Sequence, residues 1–216
     1  MARLESSDLF GHLSGLASDV ANLALGHPTR VGVDGFCAAG KTTIAQILAT
    51  LLAQAGRPVI RVSSDDFQHP PSIRWQLGRE SPEGFYRHAI DFDALRRELL
   101  IPLGPGGSRL YRTSTYDVQT LTENRSEQEE ALPRSVLLLD GLFLHTPPLL
   151  GHFDFTLFVS ASFETCVRRA RERNQENLSG GDEVEALYRQ RYIPGFELYL
   201  GEVEPQLAAS ATVENG

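Results

Sequence analysis

A phosphate-binding loop is the feature that most constrains how this chain can fold. Residues 35–42 read Gly-Phe-Cys-Ala-Ala-Gly-Lys-Thr and match the pattern G-x-x-x-x-G-K-[ST] without a mismatch. An apolar run at 31–33 precedes the loop, and a helical pattern over 43–55 follows it. This order of strand, loop and helix is the context that the motif requires. It predicts that the loop joins the first strand of a parallel sheet to a helix.

Lys41 is the only lysine in the chain, and all other positions counted as Lys or Arg are arginine. A lysine is a compact charge on a flexible stem that can fold over a phosphate, whereas arginine is a rigid planar fork. This favours a nucleotide site over a glycine-rich turn that binds nothing. We expect Lys41 to bridge the β and γ phosphates, the Thr42 hydroxyl to bind magnesium and Cys37 to be a small filler. The predicted ATP-binding residues are Gly35, Phe36, Cys37, Ala38, Ala39, Gly40, Lys41, Thr42 and Thr43.

The composition indicates a single globular domain over residues 1–216, with 41% hydrophobic and 22% charged residues. A net charge of -8 disfavours nucleic-acid and membrane-surface binding, because little positive charge is available to neutralise phosphates. The sequence has no run of about 18 apolar residues that would predict a membrane span. Its start is unlike the basic start of a signal peptide, because it carries Glu5 and Asp8. Two cysteines are too few for a disulfide framework, so we expect a reducing, cytoplasmic compartment.

Apolar runs separated by helical patterns or long connections predict a mostly parallel sheet covered by helices on both faces, a three-layer α/β fold. The runs lie at 31–33, 59–62, 136–139, 155–159 and, more weakly, 211–213. In the N-terminal segment 1–28, apolar side chains at helical spacing predict an amphipathic helix packed on the core: Phe10, Leu13, Leu16, Val20 and Leu23. The irregular segment 65–133, with a helix expected at 91–100, is the predicted acceptor-binding insertion.

Two acidic positions follow predicted strands. The run at 136–139 ends in Asp140, the pattern of a Walker B strand whose acid can hold Mg2+, although such an acid can also be a turn or cap. Asp65 follows the second strand in Ser-Ser-Asp-Asp-Phe, where a carboxylate could accept the proton of an acceptor alcohol or could cap a helix. The candidate magnesium ligands are Thr42, Asp140 and Asp65.

An arginine-rich segment at 168–192 is a predicted lid. Its first helix carries four arginines: Arg168, Arg169, Arg171 and Arg173. Arg169 and Arg173 are four residues apart and share a face, so they could close over the transferring phosphoryl group. We expect about half of these arginines to lie instead on an exposed face paired with Glu164, Glu172 and Glu176.

From about residue 30 onward, the chain resembles the uridine kinase and phosphoribulokinase family of P-loop kinases, which have the nucleoside-kinase type of P-loop fold. The loop alone is common to many ATPases, but the loop, Asp-Asp-Phe and Asp-Gly in this order and spacing are more specific. The matching parts are 34–43, 64–67, 91–93, Tyr116-Asp117, 139–141, Arg169, Arg173, 192–195 and Leu198-Tyr199.

The resemblance implies that Asp65, the first acid of Asp-Asp-Phe, is the general base, and that the acid ending the Walker B strand, Glu in many uridine kinases, is Asp140 here. Two segments that contact the nucleoside in uridine kinases differ from the family pattern. Residues 86–89 are Tyr-Arg-His-Ala, where Phe-Asp-His-Pro is common in uridine kinases. The position of a His that helps to recognise the base corresponds here to a place near Leu121. The resemblance therefore names the class of reaction rather than the acceptor.

We expect an ATP- and Mg2+-dependent kinase that phosphorylates a hydroxyl of a small molecule, foremost the 5'-hydroxyl of a nucleoside. Pantothenate, nicotinamide riboside, a sugar phosphate and glycerate are alternative acceptors, and an ATP-binding regulator without kinase activity is the alternative of another class. A GTPase is disfavoured because its Asn-Lys-x-Asp motif needs a second lysine. The sequence does not determine the oligomeric state, and it is compatible with a homo-oligomer. The candidate acceptor contacts are Asp91, Asp93, Arg112 and Tyr116.

Overall fold

Parallel strands form the centre of the computed structural model, which describes residues 6–117, 119–175 and 181–216. Within these ranges the strands are β1 (Thr29–Gly35), β2 (Val59–Ser63), β3 (Leu110–Tyr111), β4 (Tyr116–Asp117), β5 (Thr122–Glu123), β6 (Glu129–Glu130), β7 (Val136–Gly141), β8 (Phe155–Ser160) and β9 (Ala211–Glu214). The central sheet has the order β2-β7-β1-β8-β9, and every neighbouring pair is parallel. All five predicted strands are therefore confirmed in one sheet.

Helices surround this sheet. In the described ranges they are α1 (Ser6–Asn22), α2 (Lys41–Gln54), α3 (Pro71–Arg74), α4 (Pro82–His88), α5 (Phe92–Leu95), α6 (Phe163–Gln175), α7 (Gly181–Leu187), α8 (Ile193–Val203) and α9 (Pro205–Ala208). Two π-helical turns, Arg96–Leu100 and Tyr188–Tyr192, continue α5 and join α7 to α8. Ser64–Phe67 and Pro147–Leu149 are 3-10 turns. None of the described helices is long and apolar enough to cross a membrane.

The sheet separates two hydrophobic cores because alternate residues of a strand point to opposite faces. Leu138 of β7 belongs to the core shared with α1 and α2, whereas its neighbour Leu137 belongs to the core beneath α5 and its π-helical turn. Every residue of β1 and β7 is buried. The three-layer arrangement expected from the sequence is confirmed.

Helix α2 begins two residues earlier than predicted. Gly40 has a φ of 100°, a left-handed conformation that glycine adopts without steric cost. This residue turns the loop directly into the first helical residue, Lys41. The helix ends before Gly56, whose φ is 76°, and Pro58 prevents its continuation.

The N-terminal helix is shorter than the predicted segment 1–28, of which residues 1–5 lie outside the described part of the chain. Helix α1 ends at Asn22, and the predicted apolar face is only partly correct. Leu13, Leu16 and Val20 are buried in the core, but Phe10 is 56% exposed. The buried face of α1 is therefore narrower than the face predicted from the spacing of its apolar residues. Helix α1 contacts the core along one side only.

The insertion at 65–133 contains α3, α4, α5 and two short antiparallel pairs, β3 with β6 and β4 with β5. The helix predicted at 91–100 is confirmed as α5 and its π-helical turn. Asp91 is its N-cap, because its carboxylate accepts a 2.8 Å hydrogen bond from the amide of Ala94.

Replacing the buried Leu138 by alanine should lower the free energy of unfolding by about 2–5 kcal/mol, because it opens a cavity in the central strand. Leu132, which is 60% exposed, is the matched control, and its alanine variant should change stability by about 0.5 kcal/mol or less. Urea unfolding of both variants measures the difference. Equal losses in the two variants would contradict the assignment of the core.

Candidate active site

The backbone of the phosphate-binding loop adopts the conformation that its glycines allow. Gly35 lies against the carbonyl of Val159, so a side chain here would collide with the neighbouring strand. Ala38 has a φ of 61°, and Gly40 has a φ of 100°. These left-handed residues bend the chain into a concave loop directly before the N-terminus of α2. Such a loop presents successive backbone N–H groups to an anion.

Lys41 already lies over this loop. Its Nζ donates a hydrogen bond of 2.8 Å to the carbonyl oxygen of Phe36. The Phe36 ring is buried and contacts three aromatic rings: Phe163, Tyr188 and Phe196. The aromatic contacts hold the loop on the core, and the ammonium group spans its opening.

Thr42 and Asp140 meet at the carboxyl edge of the sheet. The Thr42 hydroxyl donates a 2.7 Å hydrogen bond to Oδ2 of Asp140, and Asp140 is only 4% exposed. Arg61 Nη2 lies 3.5 Å from the other carboxylate oxygen. A hydroxyl and a carboxylate are oxygen ligands of the type that Mg2+ prefers, so this pair fits the ion. Among the described residues, no group of three or more His, Cys, Asp or Glu side chains could hold a metal ion.

Asp65 lies on the 3-10 turn that follows β2, and its side chain is exposed. Its Oδ1 accepts a 3.4 Å hydrogen bond from Gln68 Nε2. The buried hydroxyl of Ser64 accepts a 3.3 Å hydrogen bond from the amide of Leu142, which ties the turn to the end of β7. Burial raises the pKa of the neighbouring Asp66, and the charge of Asp65 raises it further. Of the two adjacent acids, Asp65 is therefore the one open to an incoming molecule.

Arg169 and Arg173 lie beside the phosphate-binding loop. Together with loop residues they line a cavity of about 510 Å3. Arg169 Nη1 lies 3.4 Å from the carbonyl oxygen of Ala39, which also accepts a 2.7 Å hydrogen bond from Asn215 Nδ2. The cavity is lined by Ala38, Gly40, Lys41, Thr42, Thr43, Arg169, Glu172, Arg173 and Asn215.

The other two arginines of α6 point away from the loop. Arg168 pairs with Glu172 at 3.1 Å, and Arg171 pairs with Glu185 at 2.6 Å. The pairing of Arg168 with Glu172 was expected, but Arg171 pairs with a residue of α7, and the expected partner Glu164 pairs with Arg189 instead. Part of the predicted lid, residues 176–180, lies outside the described residues, and Glu176, one of the expected pairing partners, is among them.

Within the described ranges, no hydrogen bond or ion pair joins any two of the four candidate acceptor contacts to each other. Asp91 caps α5, with His69 Nδ1 at 3.7 Å from its Oδ2. Asp93 is exposed and lies 3.3 Å from Arg96. Arg112 Nε lies 3.6 Å from Glu98 Oε2.

Tyr116 is the fourth of these candidates. It is buried, and its hydroxyl has no hydrogen-bond partner in the described part of the chain. The hydroxyl of Tyr116 is therefore available to a ligand, whereas the other three side chains already interact with neighbouring residues.

A buried network beneath the loop was not anticipated from the sequence. Asp34 is fully buried; its Oδ1 accepts a 2.7 Å hydrogen bond from the Gly35 amide, and its Oδ2 lies 2.8 Å from His145 Nδ1. The Tyr199 hydroxyl donates to the same Oδ2, and burial followed by the charge of Asp34 raises the pKa of this hydroxyl. The motif match included Asp34 and Tyr199, but no pattern linked them to each other or to His145.

The profile of the family described as "Phosphoribulokinase / Uridine kinase family" matches residues 31–210. The chain is 28% identical over 163 residues to the pantothenate kinase of Cutibacterium acnes, which covers 65% of this chain and 46% of that protein. The chain thus spans less than half the length of this curated relative.

Two solved structures share the fold. One, described as a "Possible Uridine Kinase" from Bacillus stearothermophilus, has a TM-score of 0.73 at 20% identity and covers 94% of this chain and 98% of its own. The other, D-glycerate 3-kinase from Cryptococcus neoformans, has a TM-score of 0.62 at 14% identity and covers 88% of each chain. These matches show that the chain has the fold of P-loop kinases.

Cys37 should react slowly with iodoacetamide at pH 8. Burial raises the pKa of its thiol to about 11, so the reactive thiolate is scarce below that pH. Alkylation should be about a hundredfold slower than for an ordinary cysteine, whose pKa is about 8.5, and should accelerate about tenfold per pH unit up to about pH 11. Mass spectrometry of a Cys166→Ala variant isolates the signal. Rapid labelling at pH 8 would contradict the role of Cys37 as an inert filler.

Proposed function

Because this chain belongs to the phosphoribulokinase and uridine kinase family, we propose that it transfers the γ-phosphoryl group of ATP to a hydroxyl of a small metabolite. One observation carries the proposal: Lys41, the hydrogen-bonded Thr42 and Asp140, and the exposed Asp65 lie at the carboxyl edge of three adjacent strands. In open α/β sheets this edge is where ligands bind. The arrangement supplies a phosphate cradle, oxygen ligands and a carboxylate base together.

The loop binds the nucleotide phosphates through its backbone N–H groups, and the N-terminus of α2 adds a partial positive charge. The Lys41 ammonium group leaves the carbonyl of Phe36 and binds the β and γ phosphates. Thr42 and Asp140 would hold Mg2+, which neutralises charge on the phosphates when it is bound.

Asp65 acts as the general base. The hydroxyl oxygen of the acceptor forms a bond to the γ phosphorus while the bond from that phosphorus to the β–γ bridging oxygen breaks, which releases ADP. The hydroxyl proton passes to the carboxylate of Asp65. The hydrogen bond from Gln68 Nε2 would help to orient this carboxylate for the transfer.

Arg169 and Arg173 line the cavity beside the phosphate-binding loop and would stabilise charge on the transferring group. Their guanidinium groups approach from α6, whereas Asp65 approaches from β2. Closure of the region around α6 and α7 over the loop would exclude water from the reaction.

The acceptor is a small molecule with a free hydroxyl. The resemblance to uridine kinases suggests a nucleoside, and the pantothenate kinase and D-glycerate 3-kinase similarities add pantothenate and glycerate. Nicotinamide riboside and sugar phosphates are further alternatives. ADP release from ATP and Mg2+ across these acceptors tests the proposal, because an ATP-binding regulator would show no stimulation by any of them.

The Lys41→Ala variant should lose at least about a hundredfold in turnover, because the charge on the β and γ phosphates is no longer offset. Coupled detection of ADP release with the best acceptor measures the loss. Retention of more than about a tenth of the wild-type rate would contradict the assigned role of Lys41.

The Asp65→Asn variant should lose about 100- to 10,000-fold in kcat while its affinity for ATP stays close to that of the wild type, because only the proton acceptor is removed. Asp66→Asn is the matched control, since this half-buried neighbour should cause a much smaller loss. ADP release measures kcat, and calorimetric titration with a non-hydrolysable ATP analogue measures affinity. Wild-type turnover in Asp65→Asn would refute the base assignment.

A further inference from the structure

Arg191 is a buried cation to which the described residues supply no counter-charge. It is only 9% exposed, and no hydrogen bond or ion pair to its guanidinium occurs within the described ranges. Two other buried arginines are fully partnered: Arg30 lies 3.0 Å from the carboxylate of Asp154, and Arg57 donates to backbone carbonyls. Burying an unpaired charge is costly, so this side chain calls for an anion that arrives from outside.

The surroundings of Arg191 leave its donors available. It lies on the π-helical turn before α8, and its guanidinium carbon is 5.6 Å from the ring of Phe85 and 5.5 Å from the ring of Tyr192. These two rings lie 4.7 Å apart and form an aromatic wall. An aromatic face attracts a cation but does not satisfy the N–H groups of the guanidinium fork.

Arg74 brings a second cation to the elements around Arg191, because α3, which ends in Arg74, packs against α4, and α4 packs against the turn that carries Arg191. Its Nε is buried and has no hydrogen-bond partner in the described part of the chain, while its Nη1 donates to Gln68 Oε1. Burial lowers the pKa of the Arg191 guanidinium, and the nearby charge of Arg74 lowers it further. An anion bound between these elements would offset both charges, since no described carboxylate pairs with either guanidinium group.

This pair of arginines lies on the acceptor side of the candidate active site. Gln68 connects Arg74 to Asp65, because its Nε2 donates a 3.4 Å hydrogen bond to the Asp65 carboxylate. Phe85, which contacts Arg191, belongs to the insertion. A different arginine, Arg169, lies on the nucleotide side, where it contacts the carbonyl of Ala39 in the phosphate-binding loop.

We propose that Arg191 and Arg74 bind a carboxylate or phosphate group of the acceptor, so that the substrate is an anionic alcohol rather than a neutral nucleoside. A guanidinium fork binds either group through two parallel hydrogen bonds. A neutral acceptor would leave both cations unpaired in the closed site, which disfavours it. The inference rests on the proposed phosphotransferase function, whose acceptor it specifies.

Binding of matched acceptors to the full chain tests this inference in the presence of Mg2+ and a non-hydrolysable ATP analogue. The pairs are pantothenate with panthenol, D-glycerate with glycerol, and ribose 5-phosphate with ribose, and uridine is the neutral nucleoside. At least one anion should bind about 10- to 100-fold more tightly than its neutral partner, since hydrogen bonds to charged groups are strong. The pair that responds distinguishes a carboxylate from a phosphate.

In the Arg191→Gln variant, the affinity for the anion should fall by the same factor, so that the preference disappears, while the affinity for the neutral partner stays unchanged. Arg189→Gln is the matched control on the same turn, because Arg189 is exposed and paired with Glu164 and Glu185. This control should keep the preference. Arg74→Gln, at a half-buried position, provides a second test in case Arg191→Gln does not fold, and thermal melting establishes which variants are folded.

The binding measurement separates this inference from the proposed function. Arg191-dependent anion binding without acceptor-dependent ADP release would contradict the kinase and support the anion site. Turnover of uridine at a kcat/KM equal to that of every anion, unchanged in Arg191→Gln, would support the kinase and overturn the inference. Equal affinity for the anionic and neutral members of all three pairs would also overturn it.

Discussion

The parallel pairing of β7 with both β1 and β2 is the constraint on which the candidate site depends. In this register Val33 of β1 and Ser63 of β2 both lie opposite Asp140. The loop carrying Lys41 and the turn carrying Asp65 therefore leave the sheet on either side of one carboxylate. A slip of one residue in β7 would turn Asp140 to the other face of the sheet and remove it from both.

The loop is supported from below as well as from its sides. Asp34, the residue before the first glycine, is hydrogen bonded to the Gly35 amide, to His145 and to Tyr199. Tyr199 belongs to α8, which follows the π-helical turn that carries Arg191. This network joins the start of the phosphate-binding loop to the helix that follows the turn of the proposed anion site. Such fixed donors and acceptors need little reorganisation during a reaction.

The arginines show how far a sequence pattern can be interpreted. Helical spacing correctly predicted that Arg169 and Arg173 share a face, and the structure lines one cavity with both. It also correctly predicted exposed ion pairs, such as that of Arg168 with Glu172. Spacing could not separate Arg189 from Arg191, because the two differ in burial rather than in local pattern. The same limit applies to Phe10, which fits the apolar stripe of α1 and is nonetheless exposed.

By itself the sequence determined the phosphate-binding loop, the five strands and the acidic residues that follow two of them. These features depend on short-range rules, since glycine positions, strand alternation and helix spacing act over a few residues. Only the tertiary structure decided which distant side chains meet. Asp34 contacts His145 and Tyr199 across more than a hundred residues, and the described part of the fold places no hydrogen-bond or ion-pair partner beside Arg191. Burial and long-range contact are properties of the whole fold, and no local pattern encodes them.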